Sequence, residues 1–283
     1  MDDWFGRFSA NMHQFADDAQ RGVCPIYGIR ESVGGPIGSG FLLRVGTETL
    51  LLTAAHVVYR RYEIPLYIPG ADHPIVLEGD FYTTGPRNRV TSPQFGVDIA
   101  FVVLNPRTAS ECSGCTILTP DDFDVADTSS LQTLYGFTGF PGDENQVIED
   151  HTLLRRAYYY GGQPAPDSEY RYLGIDRRSH FIMAFEREHA VDTDGQTVYA
   201  PDPHGMSGGP VWKLGTFQEV DLGICRPKVI GIAIEWWENR RTLVCVRVGV
   251  AVEAIRRILP DLAAHLPATP YLKVNVLFDE TTA

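Results

Sequence analysis

The sequence predicts an all-β protein in two lobes, with a helix at either end of the strand-forming region. From Val23 onward, apolar residues fall into short runs separated by turn-forming residues. A stretch without sustained period, residues 105 to 130, divides those runs into two sets. Helical spacing is confined to the two ends, at residues 3 to 20 and 250 to 259.

In the first of these helices Trp4, Phe8, Met12 and Phe15 recur at three- and four-residue steps. Its polar face is not basic, which favours packing on the body of the protein over a membrane surface, with docking to a partner as the other use. The glycine-rich run Gly34 to Gly40 lacks the Lys-Ser/Thr pair of a phosphate loop and predicts a turn feeding a strand from Phe41 to Val45. Gly46-Thr47 makes a hairpin into a buried strand ending near His56. Runs at Pro65 to Ile68, Ile75 to Tyr82 and Ile99 to Leu104 complete a first small barrel.

Residues 105 to 130 carry proline, serines and Asp121-Asp122-Phe123-Asp124, and read as the crossing between lobes. Within it Cys112-Ser113-Gly114-Cys115 supplies half of the four ligands a structural zinc needs, so these read as loop thiols and no metal is expected. The second set of strands starts at Leu131 to Phe137, turns at Phe140 to Asp143 and resumes at Thr152 to Tyr160. Gly161 to Glu169 reads as a surface loop, His180 to Glu186 as a strand, and Asp192 to Gly195 as a hairpin turn with too few oxygens for calcium. Strands follow at Val229 to Trp236 and Leu243 to Val248, then a helix from Val250 that stops before Pro260. The expected organisation is an N-terminal helical extension (1–22), a first barrel (23–110), a linker (111–130), a second barrel with its helix (131–260) and a tail (261–283). In that tail Tyr271 to Phe278 suits a strand packed on the body or a segment offered to a partner.

The 283 residues are 44% hydrophobic and 21% charged, the composition of an ordinary soluble globular protein. A net charge of −12 argues against nucleic acid and against an anionic membrane as partners. No apolar run reaches the length that spans a bilayer. Acids at Asp2 and Asp3 stand where a secretory signal carries basic residues, and the five cysteines are an odd number without framework spacing. Both point to a reducing, cytoplasmic setting.

Three stretches carry chemistry. Gly205-Met206-Ser207-Gly208-Gly209-Pro210 places a serine among residues without Cβ atoms, which suits either a simple turn or a nucleophile presented beside free backbone amides. Leu50 to Val58 runs through Thr53-Ala54-Ala55 into His56, and Asp98 precedes the apolar run Ile99 to Leu104. A carboxylate beside such a run needs a partner, and His56 is the natural candidate. Singly, either residue fits a packing or pairing role. Together, the order His, Asp, Ser is that of the chymotrypsin arrangement among the known triads.

The segments TAAHVV, DIAFVVL and GMSGGPVW resemble the three active-site segments of the trypsin-like (chymotrypsin-fold) serine peptidases, usually TAAHC, DIALL and GDSGGP. The resemblance implies two six-stranded antiparallel β-barrels of chymotrypsin type, with the N-terminal helix and the C-terminal helix plus tail added. It implies a serine endopeptidase without cofactor, with His56 as general base and acid, Asp98 orienting it, Ser207 as nucleophile, and the Gly205 and Ser207 amides as oxyanion hole. It also implies that Ile234, Glu235 and Trp236 pair with substrate backbone, and that Leu243 to Cys245 wall a primary pocket made shallow by Trp236 and Leu243. Glu235 or Asp202 are the acids that could enter that pocket. Protein or peptide substrates are expected, with a regulatory partner possible through the terminal extensions. Met206 stands where many relatives carry the aspartate that binds a new amino terminus, so activation by terminal insertion is not expected. The alternative reading is a catalytically silent scaffold that binds peptides.

Overall fold

The computed structural model describes residues 4–30, 33–84, 96–145, 147–148, 152–153, 156–191, 196–270 and 278–281. The chain opens with α1 (Trp4–Arg21), close to the helix its spacing predicts. Phe15 meets Tyr159 and Trp212 edge-on at centroid distances of 5.2 and 6.1 Å, so α1 packs on the second lobe. Its Asn11 side chain donates to the carbonyl of Val220 at 2.8 Å, fixing the helix at a second point.

The first lobe comprises β1 (Cys24–Arg30), β2 (Val33–Val45), β3 (Glu48–Thr53), the short α2 (Ala55–Tyr59), β4 (Leu66–Ile68), β5 (Ile75–Val76), β6 (Gly79–Thr84) and β7 (Ala100–Leu104). Its ladders run β6-β7-β3-β2-β1-β4-β5. β5 and β6 are separated by Leu77 and Glu78 alone, so a bend in one continuous segment brings the two ends of the path together. Leu77 holds that bend by donating to the Leu66 carbonyl at 2.9 Å. The lobe is thus a sheet wrapped around Phe41, Leu43, Leu50, Leu52 and Phe101, all fully buried.

The glycine-rich stretch predicted as a turn is instead the first half of β2. Gly28 pairs with Gly35 and Ile29 with Gly34. A Cβ on Gly34 would lie 2.4 Å from the Gly28 carbonyl oxygen, and one on Gly38 would lie 2.4 Å from Val57. Glycine here permits close approach of backbones and of α2.

Between the lobes lie α3 (Pro106–Glu111) and β8 (Ile117–Leu118), the latter parallel to β2. The second lobe follows: β9 (Thr133–Gly139), the small hairpin β10 (Val147–Ile148) and β11 (Thr152–Leu153), β12 (Tyr158–Pro164), α4 (Asp167–Leu173), β13 (His180–Ala184), the hairpin β14 (Ala190–Val191) and β15 (Thr197–Val198), β16 (Pro210–Thr216), α5 (Phe217–Asp221), β17 (Lys228–Trp237), β18 (Thr242–Arg247) and α6 (Val248–Ile258). Six of these close into an antiparallel barrel in the order β12-β13-β18-β17-β16-β9. The expected surface loop Gly161 to Glu169 is therefore mostly β12 and α4. Gly161 and Gly162 face Gly136 and Tyr135 in the barrel wall. A Cβ on Gly162 would fall 2.4 Å from the Ala184 carbonyl oxygen, so this is again glycine used for proximity.

The buried guanidinium of Arg247 donates to the carbonyl of Asp127 at 2.8 Å and to the hydroxyl of Ser129 at 2.8 Å, which ties the crossing segment to the second barrel. The tail returns to the first lobe, where β19 (Phe278–Thr281) pairs with the outer edge of β6. The strand predicted from Tyr271 lies outside the described residues up to 277, as does the turn at Asp192 to Gly195.

Candidate active site

The buried strand β3 delivers Thr53, whose hydroxyl donates to the Ser39 carbonyl at 2.6 Å. Ala54 and Ala55 then let the chain turn beneath the second lobe. His56 accordingly sits in the first turn of α2 and not at the end of a strand. Its imidazole Nδ1 lies 2.5 Å from Asp98 Oδ2, and its backbone N–H donates to Asp98 Oδ1 at 3.0 Å. Asp98 is 5% exposed, so both its oxygens are taken up by one residue in place of water. Thr84 steadies the segment beside it, its hydroxyl oxygen accepting the Ile99 N–H at 2.9 Å.

Burial pushes the His56 imidazole toward its neutral form. The charge and hydrogen bond of Asp98, with a smaller contribution from Glu235, outweigh this and hold it above the ordinary value of 6.5. The side chain keeps 36% exposure, and among the described residues its far nitrogen makes no hydrogen bond.

Ser207 is carried by a turn with two left-handed residues, Gly205 at φ 89° and Gly208 at φ 91°. The amides around it divide into two kinds. Those of Met206, Gly208 and Gly209 donate to Pro203, Ala233 and Met206 carbonyls at 2.9, 2.6 and 3.0 Å. Those of Gly205 and Ser207 donate to nothing among the described residues, which leaves two neighbouring N–H groups free for an anion. Ser39 clamps this turn from the first lobe: its amide donates to the Ser207 carbonyl at 2.7 Å, and its hydroxyl donates to the Gly205 carbonyl at 2.9 Å. The same hydroxyl accepts the Phe140 amide at 3.0 Å. Sequence reasoning missed Ser39, whose one signal is a serine inside a glycine run.

The serine turn and the histidine turn are in direct contact. A Cβ on Gly208 would lie 2.9 Å from the Ala54 amide nitrogen, two residues before His56. The Ser207 hydroxyl donates to the Ile234 carbonyl at 3.2 Å, with no hydrogen bond to His56. Ala233 donates its amide to the Gly209 carbonyl at 2.9 Å; Ile234 and Glu235 follow it on β17, where the register with β18 shifts, and Glu235 is close enough to His56 to bias its charge.

Trp236 meets the Phe185 ring edge-on at 5.2 Å and packs on a cluster that includes Leu243, Phe137, Tyr160 and Met206. That cluster fills the second barrel next to Ser207. Cys245 is fully buried within it and has no surface to offer a ligand; burial pushes its thiol far up. Asp202 is bound to Arg187 at 3.1 Å and to His204 at 2.5 Å, so its charge is already matched. Met206 is 1% exposed in apolar surroundings. His180, a second buried imidazole, reaches the Gly96 carbonyl at 3.3 Å and is held neutral by burial. No helix among the described residues is long and apolar enough to cross a membrane.

No protein-family model matches the chain, and no curated protein matches it in sequence. Solved structures do match in shape. Neuropsin, a serine protease expressed in the limbic system of mouse brain, superposes with a TM-score of 0.54 at 11% identity, covering 86% of this chain and 96% of that one. A structure of GrC gives 0.51 at 12% identity, with coverage of 86% and 96%. At these identities the likeness establishes the fold, the chymotrypsin-type double β-barrel.

Proposed function

We propose that this chain is a serine endopeptidase that hydrolyses peptide bonds through an acyl-enzyme formed on Ser207. The observation that carries the reading is the two-point grip of Asp98 on His56, set against a serine turn with two idle amides. Rotation about the Ser207 side chain moves its hydroxyl from the Ile234 carbonyl toward the imidazole. Hydrogen bonds of this kind are often unmade until substrate is bound.

His56 then takes the Ser207 proton as the oxygen attacks the peptide carbonyl, and Asp98 stabilises the resulting imidazolium through Nδ1. The Gly205 and Ser207 amides receive the oxyanion, an interaction of the kind worth roughly 3 kcal/mol per donor. His56 returns the proton to the leaving amine, and a water activated by the same imidazole releases the acyl group.

Substrate backbone lies along Ile234 to Trp236. The rings of Trp236 and Phe185 with Leu243 leave little depth for the residue before the scissile bond, which favours small or modest apolar side chains. With Met206 buried among apolar groups and no charge to pair with an amino terminus, the chain needs no terminal-insertion step. Peptide-library hydrolysis tests the reading: wild type cleaves after small apolar residues and Ser207→Ala does not. Strict cleavage after Arg or Lys contradicts the pocket assignment.

A second reading is favoured by the Ser207–Ile234 hydrogen bond: a scaffold that binds peptides along β17 without cutting them. It predicts saturable peptide binding unchanged by Ser207→Ala, with no turnover in either protein.

A further inference from the structure

Three of the five cysteines meet at the root of α1, far along the sequence from one another. β2 carries β3 on one edge at Gly40 and Leu42, so Cys24 and Ile117, which pair with these same two residues, lie together on the other edge. β8 runs parallel to β2, and two residues before Ile117 the chain comes level with Gly40, the partner of Cys24. The Thr116 amide confirms this placement by donating to the Arg21 carbonyl at 2.6 Å. Cys112 is fixed by a bridge to Gly70, and Gly114 at φ 75° turns the chain between the paired cysteines. The Cys112 and Cys115 thiols are near enough to Cys24 to push its pKa up, in keeping with the strand register.

The three differ in access. Cys24 is fully buried, whereas Cys115 is half-buried and lines a cavity of about 420 Å³ with Asp17, Gln20, Arg21, Pro25 and Phe140. Among the described residues no group of three or more His, Cys, Asp or Glu could hold a metal ion. Three adjoining thiols can undergo oxidation and exchange.

We infer that Cys24, Cys112 and Cys115 form a peroxide-responsive disulfide site in which Cys24 becomes bonded to one of the other two. Hydrogen peroxide entering the cavity oxidises Cys115 to the sulfenic acid and leaves as water. Cys24 attacks the sulfenic sulfur; its S–H proton departs with the leaving hydroxyl as a second water, and the Cys24–Cys115 bond forms. Two thiols lose two electrons and two protons in all, and one peroxide is reduced to two waters. The neighbouring Cys112 and Cys115 thiols, together with burial, favour the Cys24 thiol over its thiolate, so attack requires that proton to pass to the leaving hydroxyl. Cys112 stays beside the new bond and can attack its Cys24 sulfur, releasing the Cys115 thiol and leaving a Cys24–Cys112 bond. The closed bond fastens the start of β1 to the segment between the lobes.

The test uses the full-length protein, treated with hydrogen peroxide, alkylated and mapped by mass spectrometry without reduction. The expected result is a peptide cross-linked between Cys24 and Cys115 or Cys112, lighter by about 2 Da than its separate thiol peptides and opened by dithiothreitol. It is lost in Cys115→Ser and in Cys24→Ala. Should the buried Cys24→Ala variant fail to fold, Cys115→Ser at the half-buried position carries the comparison. A cross-link confined to Cys112–Cys115, or Cys115 recovered as sulfinic acid with Cys24 still alkylated, would overturn the inference.

Discussion

Asp98 binds His56 twice, through the ring nitrogen at 2.5 Å and through the backbone amide at 3.0 Å. The second contact fixes where the residue sits, and the first fixes which way its ring faces and which tautomer it holds. In Asp98→Asn the backbone bond can survive, but the amide no longer imposes the tautomer with Nε2 free. On the proposed mechanism kcat then falls by about 10⁴-fold with the protein still folded. Steady-state kinetics with a circular-dichroism control measures both.

The direction of the His56 shift sets the pH profile. A general base must be neutral, and this imidazole protonates above its ordinary 6.5 because Asp98 and Glu235 outweigh burial. The acid limb of kcat/KM is therefore centred above 6.5, and Glu235→Gln moves it down. The same shift contributes to stability fully below 6.5, and that contribution is lost as pH rises through the folded value. A limb unmoved by Glu235→Gln contradicts the assignment.

Gly208→Ala meets the Ser39 carbonyl oxygen at 2.0 Å and the Thr53 hydroxyl at 2.1 Å, at a φ of 91°. Backbone strain alone costs about 1–3 kcal/mol, and the contacts are with backbone and a buried hydroxyl that cannot retreat. A loss of at least ~2 kcal/mol is expected, read as a lower urea midpoint.

How much of this was legible follows from how local each signal is. His56 and Ser207 are announced by their own neighbours, because small residues are needed to turn the chain at Ala54 and glycines to turn it at Gly205 and Gly208. Asp98 is announced by the cost of a carboxylate beside Ile99 and Phe101. Ser39 is silent because its partners, Gly205, Ser207 and Phe140, lie more than a hundred residues away. Glycines misled twice, at Gly34 to Gly40 and at Gly161–Gly162, because in a barrel wall they serve close approach and not a turn. The short helix α5 is marked in the sequence by the Thr216 and Glu219 capping box. The thiol group is invisible in sequence, since strand order alone brings Cys24 to Cys115.

On the proposed mechanism, the aromatic filling of the second barrel limits which side chain can precede the scissile bond. Trp236→Gly removes the ring that meets Phe185 and opens depth beside Leu243. Peptides with Leu or Phe before the scissile bond should gain about tenfold or more in kcat/KM relative to those with Ala. Competition between the two peptides in one assay reads the ratio directly.

The central claim is that Ser207 is a nucleophile activated by His56. Treating the protein with a fluorophosphonate and locating the adduct by mass spectrometry tests it most directly. The account predicts a single stoichiometric adduct on Ser207, absent in Ser207→Ala and greatly slowed in His56→Ala. A folded wild-type protein that takes up no label, or one labelled equally fast without His56, would contradict it.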